Sequence, residues 1–584
     1  MKGHKKITFK QSEQGQLWLL PPSLDELVPQ NHTVRLVNRV IDGLEIESLL
    51  STYKGGGTSS FHPKMMLKAL VYAYMEQIYS SRRIEKALKE NVTFMWLCGN
   101  MQPDHNTINR FRNGALKETI KKIFAEVLAL LVEEKLVNLN RYHLDGTKIE
   151  SVANRYSFVW SKNVERYKKS TIEKINLILD HVEEQIVKEE AEEGEKEQNN
   201  EKELSSERVK FLIKSINEKL EKEEDEELKE KVSKELSVLE KKHLPKLEEY
   251  EAQEKKLAGR NSYSKTDEDA TFMRMKEDHM KNGQLKPAYN VQFGTENQFI
   301  INYTVHQTST DTTVLEAHLE DTEELLASVE LKMPEDISAD AGYGSEENYE
   351  YMESKGWNAY VKYGDFHRET KKKQLENPFN SANWFYNEEK DFMVCPIGQI
   401  MRFKYKERRK TTTGFIAESH VYEAKNCINC PLRGLCNQGK NNKQVRLNKR
   451  LRKHKKKAKA LLNSLKGQRI RAQRGVDVEP VFGHIKYNRK FNRFMLRSLP
   501  KVNIELGLIA IAHNLRKMAK KMATLLLLPP GLPPANDNWM AVGDKRPYYG
   551  VFFAFWSSFF VCWRRIFYFF TFFVFPKNPQ PRWG

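Results

Sequence analysis

The sequence predicts an α+β protein in which a helical N-terminal domain precedes a mixed sheet. Apolar residues recur at helical spacing between about residues 15 and 135. From Pro287 the period changes to two, because Tyr289, Val291 and Phe293 alternate with polar neighbours. A chain of 584 residues is also too long for one core, so two to four units are expected.

The N-terminal domain, residues 15–135, contains three predicted helices. They begin near Pro63, Ser81 and Asp104, which are residue types that start helices. The third helix carries the basic residues Arg110 and Arg112, so the region fits a helix-turn-helix that binds DNA. A helical dimerisation or scaffold module fits the same spacing, and both interpretations stay open.

The predicted catalytic core comprises residues 136–160 and 259–365, with C-terminal helices at 471–522. A strand leads to Asp145, and a hairpin with a turn at Thr295 to Asn297 follows Pro287. After a helix from Val314 to Leu326, a strand ends at Asp340, Ser345 opens a helix and residues 359–361 form a strand. This order, in which three strands are followed by a helix, a strand and a second helix, is the layout of a ribonuclease H-like fold. This layout would place Asp145 and Asp340 on neighbouring strands.

Two segments are predicted to interrupt this core. Residues 161–258 are rich in Lys and Glu and carry two runs of apolar residues at helical spacing, so we expect a solvated antiparallel helical hairpin without chemistry of its own. Residues 366–470 form a small basic, Cys-rich insertion.

Positive charge is concentrated in one stretch of the chain. The formal net charge is +18, and residues 401–474 alone contain 23 Lys or Arg against 3 Glu, which accounts for the whole excess. A solvated basic face is one explanation. Such density over about 70 residues is more typical of a surface that follows a phosphate backbone, so we expect double-stranded DNA as the partner.

The cysteines suggest a metal site inside the basic insertion. Cys427 and Cys430 are separated by two residues, and Cys395 and Cys436 are their more distant partners. These four thiols predict either a structural zinc site or a set of buried free thiols. Six cysteines in all, and an N-terminus without an apolar signal core, predict a cytoplasmic protein.

Three carboxylates, Asp145, Asp340 and Glu479, could bind divalent metal ions. Each alone could equally cap a turn or lie exposed on a helix. Together they supply the oxygen ligands that Mg²⁺ or Mn²⁺ needs for two-metal phosphoryl transfer. Lys486 is seven residues after Glu479, which places it on the same helix face as a predicted DNA contact, and Arg471 and Arg474 precede Glu479 in the same helical region.

Four motifs together resemble those of bacterial insertion-sequence DDE transposases. The N-terminal stretch from Leu19 through Arg112 is similar to the helical domain that precedes the catalytic core in the branch numbered eleven eighty-two. The resemblance covers residues 10 to 520 approximately. The motifs lie at residues 142–149, 286–292, 339–345 and 478–486.

The resemblance implies a DNA transposase that binds the terminal repeats of its element, cleaves their 3′ ends and joins them to target DNA as a homodimer. It implies that Asp145, Asp340 and Glu479 bind the metal ions. Relatives carry an arginine and a tyrosine where this chain has Gly475 and Ala472, and Arg474 is a candidate substitute for that arginine. A catalytically inactive DNA-binding regulator, or a metal-dependent nuclease without strand transfer, remains the alternative.

Residues 523–584 form a Pro-rich linker and an aromatic tail. The aromatic run at 548–575 is split by Arg564 and Arg565, and each half is shorter than the roughly 20 residues that span a bilayer. We therefore expect an appended segment that catalysis does not need, rather than a membrane anchor.

Overall fold

The computed structural model describes residues 23–51, 53, 60–187, 204–221, 226–275 and 284–526. The chain divides into two units, Met1–Lys521 and Met522–Gly584, and the fold below is that of the first. The predicted aromatic tail lies outside the described residues. Within the described residues, no helix combines the length and the apolar character that a membrane span requires.

The N-terminal region is helical, as predicted. Helices begin after His62, Ser80 and Asp104, and the Asp104 side chain accepts a 2.7 Å hydrogen bond from the Thr107 N–H, which caps the third of them. A π-helical turn, Phe111–Ala115, links this helix to the next. The helices are α1 Leu24–Leu27, α2 Thr33–Gly43, α3 Glu47–Leu50, α4 Pro63–Met75, α5 Ser81–Glu90, α6 Val92–Leu97, α7 His105–Arg110 and α8 Ile120–Glu133.

The Lys/Glu-rich segment is a bundle rather than the predicted two-helix hairpin. After strand β1, Arg141–Glu150, the short strands β2, Phe158–Trp160, and β3, Ser262–Ser264, pair and enclose it. The apolar residues of the bundle form one core cluster, which draws on every helix of the segment. The prediction of a two-helix hairpin was therefore wrong. The later helices were missed because their apolar residues are sparse among Lys and Glu. The helices are α9 Ser161–Val187, α10 Ser206–Leu220, α11 Glu226–Val238 and α12 Leu244–Leu257.

The central sheet has six strands and mixes both pairing directions. Strand β5 pairs antiparallel with β4 and β6 along one edge and with β1 along the other. Strand β1 then pairs parallel with β7, which pairs parallel with β8. Helices α13, Leu315–Ala327, and α14, Glu346–Ser354, connect the later strands. The remaining strands are β4 Thr271–Arg274, β5 Leu285–Glu296, β6 Phe299–His306, β7 Asp336–Ala339 and β8 Asn358–Val361.

Several local predictions in this sheet are confirmed. Ser345 caps α14 by accepting a hydrogen bond from the Asn348 N–H, and Glu346 and Glu347 lie in its first turn. The β5–β6 turn falls later than predicted. Its turn residues are Asn297 and Gln298, which both have positive φ, as a two-residue hairpin turn requires.

The Cys-rich segment contains a second, antiparallel sheet that the sequence did not reveal. Its strands follow the order β13-β12-β11-β10-β9, and Trp384, Met401 and Tyr422 are buried in its core. The basic strand β11 is exposed along most of its length. The elements are α15 Lys372–Leu375, β9 Tyr386–Asn387, β10 Phe392–Val394, β11 Ile400–Lys410, β12 Ile416–Ala424, α16 Arg433–Cys436 and β13 Gln444–Leu447.

Three further helices, α17 Lys449–Asn463, α18 Leu465–Gly483 and α19 Leu499–Leu526, complete the described chain. Helices α18 and α19 hold the β5–β6 turn from two directions. Asp477 on α18 accepts hydrogen bonds from the backbone N–H groups of Asn297 and Gln298. His513 on α19 donates from Nε2 to the Gln298 carbonyl, and Asn514 makes two hydrogen bonds to the backbone of Ile300. These contacts fix both helices to the central sheet.

The buried His513 predicts a loss of stability in mild acid. Burial, together with the nearby His484 and Arg489, lowers the pKa of His513 to about 3, although its hydrogen bond to Gln298 acts in the opposite direction. Unfolding restores an ordinary pKa near 6.5, so the unfolded chain binds the proton first as pH falls below 6.5. We expect this residue to cost about 2 kcal/mol of unfolding free energy between pH 7 and pH 5. Denaturant titrations at both pH values should show that His513→Leu reduces the pH dependence by this amount, and an unchanged dependence would contradict the assignment.

Gly507 allows α19 to approach the sheet and α8 closely. A Cβ at this position would lie 2.4 Å from the Tyr303 hydroxyl oxygen and 2.6 Å from Ile120 Cγ1. We therefore expect Gly507→Ala to destabilise the protein by about 1–3 kcal/mol, measured by thermal denaturation. Gly43→Ala is the matched control, because no atom lies within 4 Å of its added Cβ and helix propensity favours alanine. Equal effects of the two substitutions would contradict the proposed packing.

Candidate active site

Asp145 and Asp340 occupy matching positions on two neighbouring parallel strands. The register of β1 and β7 pairs Arg141 with Asp336 and His143 with Ser338. The same register, continued by two residues, sets Asp145 beside Asp340, although 195 positions separate them in the chain. Asp145 is not at a strand end as predicted, because β1 continues to Glu150 against β5. It lies at the point where the neighbouring β7 has already ended.

An arginine from α18 neutralises the first of these acids. Arg474 Nη2 lies 3.0 Å from Asp145 Oδ2, and both side chains are largely buried. The Gly146 N–H donates a 2.8 Å hydrogen bond to the other oxygen, Asp145 Oδ1. The position of Asp145 is therefore fixed by its own strand and by α18. Arg474, predicted as a DNA contact, holds Asp145 in this structure.

Asp340 closes the turn that follows β7. Its Oδ1 accepts a 2.8 Å hydrogen bond from the Gly342 N–H, which caps a short 3₁₀ turn, Ala341–Tyr343. The Tyr343 hydroxyl is buried and donates to Gln292 Oε1 on β5. Burial raises the pKa of Tyr343 well above its usual value, and the negative charges of Asp311, Asp145 and Asp340 raise it further. Three carboxylates therefore lie around this phenol.

Glu479 lies on the exposed side of α18. A Cβ added to Gly475, one turn earlier, would lie 3.9 Å from Glu479 Oε1, so the glycine leaves the carboxylate room along the helix. In the part of the chain that the structure describes, no three His, Cys, Asp or Glu side chains gather closely enough to hold a metal ion. The structure thus places Asp145 and Asp340 at adjacent strand positions, and Glu479 is exposed on α18.

Helix α18 is nevertheless tied to the strands that carry the acids. Asp477, two residues before Glu479, binds the β5–β6 turn, and burial raises its pKa. Arg141 at the start of β1 donates a hydrogen bond to Gln473 on α18. The backbone that carries Glu479 is therefore held at several points against the central sheet.

Lys486 is buried, so the prediction that it contacts DNA beside Glu479 is wrong for this structure. Its Nζ donates a 2.8 Å hydrogen bond to the Lys148 carbonyl on β1. Helix α18 ends at Gly483, and a π-helical turn, His484–Asn488, follows it. A π turn contains more residues than an α turn. A separation of seven residues therefore no longer places the Glu479 and Lys486 side chains on one face of the helix.

The other predicted DNA contacts differ in exposure. Arg112 is buried and donates hydrogen bonds to the Tyr74 hydroxyl, the Tyr79 carbonyl and Asn109, so its assignment to DNA binding is corrected to a structural role. Arg110 is exposed at the end of α7. Arg471 lies on α18, and its guanidinium is 5.3 Å from the centre of the Phe366 ring.

Sequence reasoning missed two charged residues near the acids. Lys362 directly follows β8, and its pKa is lowered by burial and by Arg474 and Arg471, while Asp340 raises it. Asp311 lies in the loop between β6 and α13 and accepts hydrogen bonds from two amides of β5. Neither residue belongs to a recognisable motif, and only the strand order brings them to this edge of the sheet.

The four predicted zinc ligands line one small cavity beside the second sheet. Cys395, Cys427, Cys430 and Cys436 are all free thiols. Cys427 Sγ accepts a 3.3 Å hydrogen bond from the Lys443 N–H. Burial raises the pKa of Cys436, and the three other cysteines add to that effect. The thiols are neighbours, although the described residues contain no cluster tight enough for a metal ion.

Two segments of the chain match families of transposase domains. Residues 22–114 match the family described as Transposase domain (DUF772), and residues 394–519 match the family described as Transposase DDE domain. No curated protein and no solved structure matches the chain. The two matches support a DDE-type transposase. Glu479 lies inside the second matched segment, whereas Asp145 and Asp340 lie outside both.

Proposed function

We propose that this protein is an insertion-sequence transposase of the bacterial branch numbered eleven eighty-two. It would bind the terminal repeats of its element, cleave their 3′ ends and join them to target DNA. The observation that carries the proposal is the placement of Asp145 beside Asp340, on adjacent parallel strands of a chain with two transposase-domain matches.

The strand order supports a ribonuclease H-like catalytic core. The sheet follows the order β6-β5-β1-β7-β8, in which the first three strands are antiparallel and the last two run parallel to β1. Asp145 on the third strand of this order and Asp340, directly after the fourth, then lie beside each other where β7 ends. The bundle and the second sheet are, in this proposal, insertions into that core.

The carboxylates at this edge are the kind of oxygen ligand that a divalent cation such as Mg²⁺ prefers. Asp145 and Asp340 offer carboxylate oxygens. Gly342 leaves the space beside Asp340 free, because a Cβ at that position would lie only 3.0 Å from Asp340 Oδ1. Asp145, Asp340 and Glu479 would hold Mg²⁺ or Mn²⁺. When bound there, the ions would supply activation of the attacking water or 3′-hydroxyl and charge stabilisation at the leaving oxygen.

Two cationic side chains, Arg474 and Lys362, lie beside the acids where a phosphate would bind. Arg474 orients Asp145 and offsets its charge. Lys362 lies near both Arg474, which lowers its pKa, and Asp340, which raises it. Together they place positive charge beside the acids, where a scissile phosphodiester would bind. Glu479 would complete the site from α18, which Asp477 anchors to the β5–β6 turn.

Strand β11 and helix α17 form the surface best suited to the DNA backbone. Both faces of β11 are exposed and carry Arg or Lys at most positions. Part of this charge is already paired. On α17, Lys457 and Lys459 form ion pairs with Glu353 and Glu369, and on β11, Lys404, Lys406 and Arg408 form ion pairs with Glu423 and Glu418. The unpaired remainder, with Arg110 and Arg471, would contact phosphates and make binding strongly dependent on salt.

We also propose a structural zinc in the Cys395, Cys427, Cys430 and Cys436 cavity, a homodimer in the DNA complex and a cytoplasmic location. Thiolate ligands suit zinc, and the Lys443 N–H on Cys427 is the kind of donor that stabilises a thiolate. Zinc content measured by mass spectrometry should be close to one per chain in the wild type and lower in Cys430→Ser. Zinc-free wild-type protein would instead favour buried free thiols.

The proposal is tested by incubating the protein with the DNA that flanks its own gene. We expect cleaved 3′ ends and joined product with Mg²⁺ or Mn²⁺, and neither product with excess chelator, because the carboxylates alone cannot activate a phosphodiester. Binding without cleavage would indicate a DNA-binding regulator. Cleaved ends without joined product would indicate a nuclease.

A further inference from the structure

Asp311 packs against the backbone beside both aspartates of the candidate active site. A Cβ added to Gly146, the residue after Asp145, would lie 2.8 Å from Asp311 Oδ1. A Cβ added to Gly342, two residues after Asp340, would lie 3.8 Å from the Asp311 Cβ. The loop between β6 and α13 therefore brings a third carboxylate to the same edge of the sheet.

One oxygen of Asp311 is held firmly and the other is left open. Oδ1 accepts hydrogen bonds of 2.9 Å from Asn290 Nδ2 and 3.0 Å from Gln292 Nε2, two buried amides on the same face of β5. Gln292 is itself oriented by the Tyr343 hydroxyl. Among the described residues, Asp311 Oδ2 accepts no hydrogen bond and forms no ion pair. The carboxylate is thus oriented in advance, with a free oxygen.

The charges around Asp311 favour a cation. After burial, its negative charge is the largest influence that raises the pKa of Tyr343, ahead of Asp145 and Asp340. Arg474 pairs with Asp145, not with Asp311. A partly buried carboxylate beside two others is costly unless positive charge offsets it. A bound divalent ion would supply that charge.

We propose that Asp311 positions the divalent cation of the Asp145 and Asp340 site through its Oδ2. The inference rests on the proposed function. Asp311 acts through a water molecule of the ion, because the described residues hold no three carboxylates close enough to ligate one ion directly. Mg²⁺ retains several of its waters in protein sites, so an outer carboxylate of this kind has a partner. Asp311 is therefore a positioning residue.

Asp311→Asn tests the role with little structural change. The asparagine keeps an oxygen for Asn290 and Gln292 and replaces the free Oδ2 with an amide nitrogen, which cannot accept from a water of the ion. We expect the Kd for Mn²⁺, measured by electron paramagnetic resonance on DNA-free protein, to rise about 10-fold to 100-fold. The unfolding midpoint without metal should stay unchanged. Glu324→Gln, an exposed acid on α13, is the matched control and should leave the Kd unchanged.

A second measurement on the wild type does not depend on the variant folding. Fe²⁺ bound in place of Mg²⁺ cuts nearby backbone when it generates hydroxyl radicals, and we expect cuts in the loop around Asp311 as well as near Asp145 and Asp340. Wild-type Mn²⁺ affinity in Asp311→Asn, or no cut in the loop, would overturn the inference. If Asp340→Asn also keeps wild-type Mn²⁺ affinity and DNA cleavage, the proposed function itself fails.

Discussion

Asp340→Asn and Asp145→Asn should each lower Mg²⁺-dependent cleavage of the element ends by about 10³-fold or more. Either substitution replaces a negatively charged oxygen at the position where β1 and β7 bring the two acids together. The asparagine at 340 can still accept the Gly342 N–H, and the asparagine at 145 can still accept the Gly146 N–H. The turn and the strand should therefore survive while cation binding is lost. Cleavage of end-labelled DNA at saturating protein measures the effect.

DNA binding separates this effect from misfolding. Both variants should bind the terminal DNA with an affinity close to that of the wild type, measured by fluorescence anisotropy, because the basic surface of β11 and α17 is untouched. Glu324→Gln removes one acid from an exposed position of α13 and should cleave at the wild-type rate. Cleavage by Asp340→Asn at that same rate would remove Asp340 from the active site.

Glu296→Ala should cause the largest loss of stability among single substitutions in the central sheet. The Glu296 carboxylate is buried and accepts hydrogen bonds from four consecutive backbone N–H groups, those of residues 138 to 141. Their loss leaves several donors without partners at the entrance to β1. Each backbone donor that loses its partner costs about 1–3 kcal/mol, and hydrogen bonds to water restore part of this. We therefore expect the free energy of unfolding to fall by about 3–5 kcal/mol.

Hydrogen exchange locates this loss. The amides of residues 138 to 141 and the first residues of β1 should exchange about 100-fold faster in Glu296→Ala, which corresponds to roughly 3 kcal/mol. Glu296→Gln is the matched variant, since it retains one acceptor oxygen and should give a smaller effect. Unchanged protection in the alanine variant would show that other contacts hold this loop.

Local patterns in the sequence predicted the elements that carry their own signals. Asp104 and Ser345 cap helices through bonds to residues three positions later, which is information contained in a few neighbouring residues. The alternation from Tyr289 identified the hairpin. The neighbouring placement of Asp145 and Asp340 was a prediction from the order of elements, and the β1–β7 register agrees with it.

Contacts between distant segments were not predictable in the same way. Asp477 binds residues 297 and 298, and Asp311 packs against Gly146, across separations of about 180 and 165 positions that no local period encodes. The prediction that Lys486 contacts DNA was wrong for a different reason. A π turn breaks the helical period on which that prediction depended. Arg112 looked like a surface cation, yet its partners, Tyr74 and Tyr79, come from another part of the domain.

The most direct test of the central claim is cleavage by Glu479→Gln, alone and combined with Asp340→Asn. If Glu479 serves the same active site, the single variant should lose cleavage by about 10³-fold or more, and the double variant should be hardly worse than either single one. Residues that act as one unit give such non-additive losses. Cleavage by Glu479→Gln near the wild-type rate would contradict a site built from Asp145, Asp340 and Glu479.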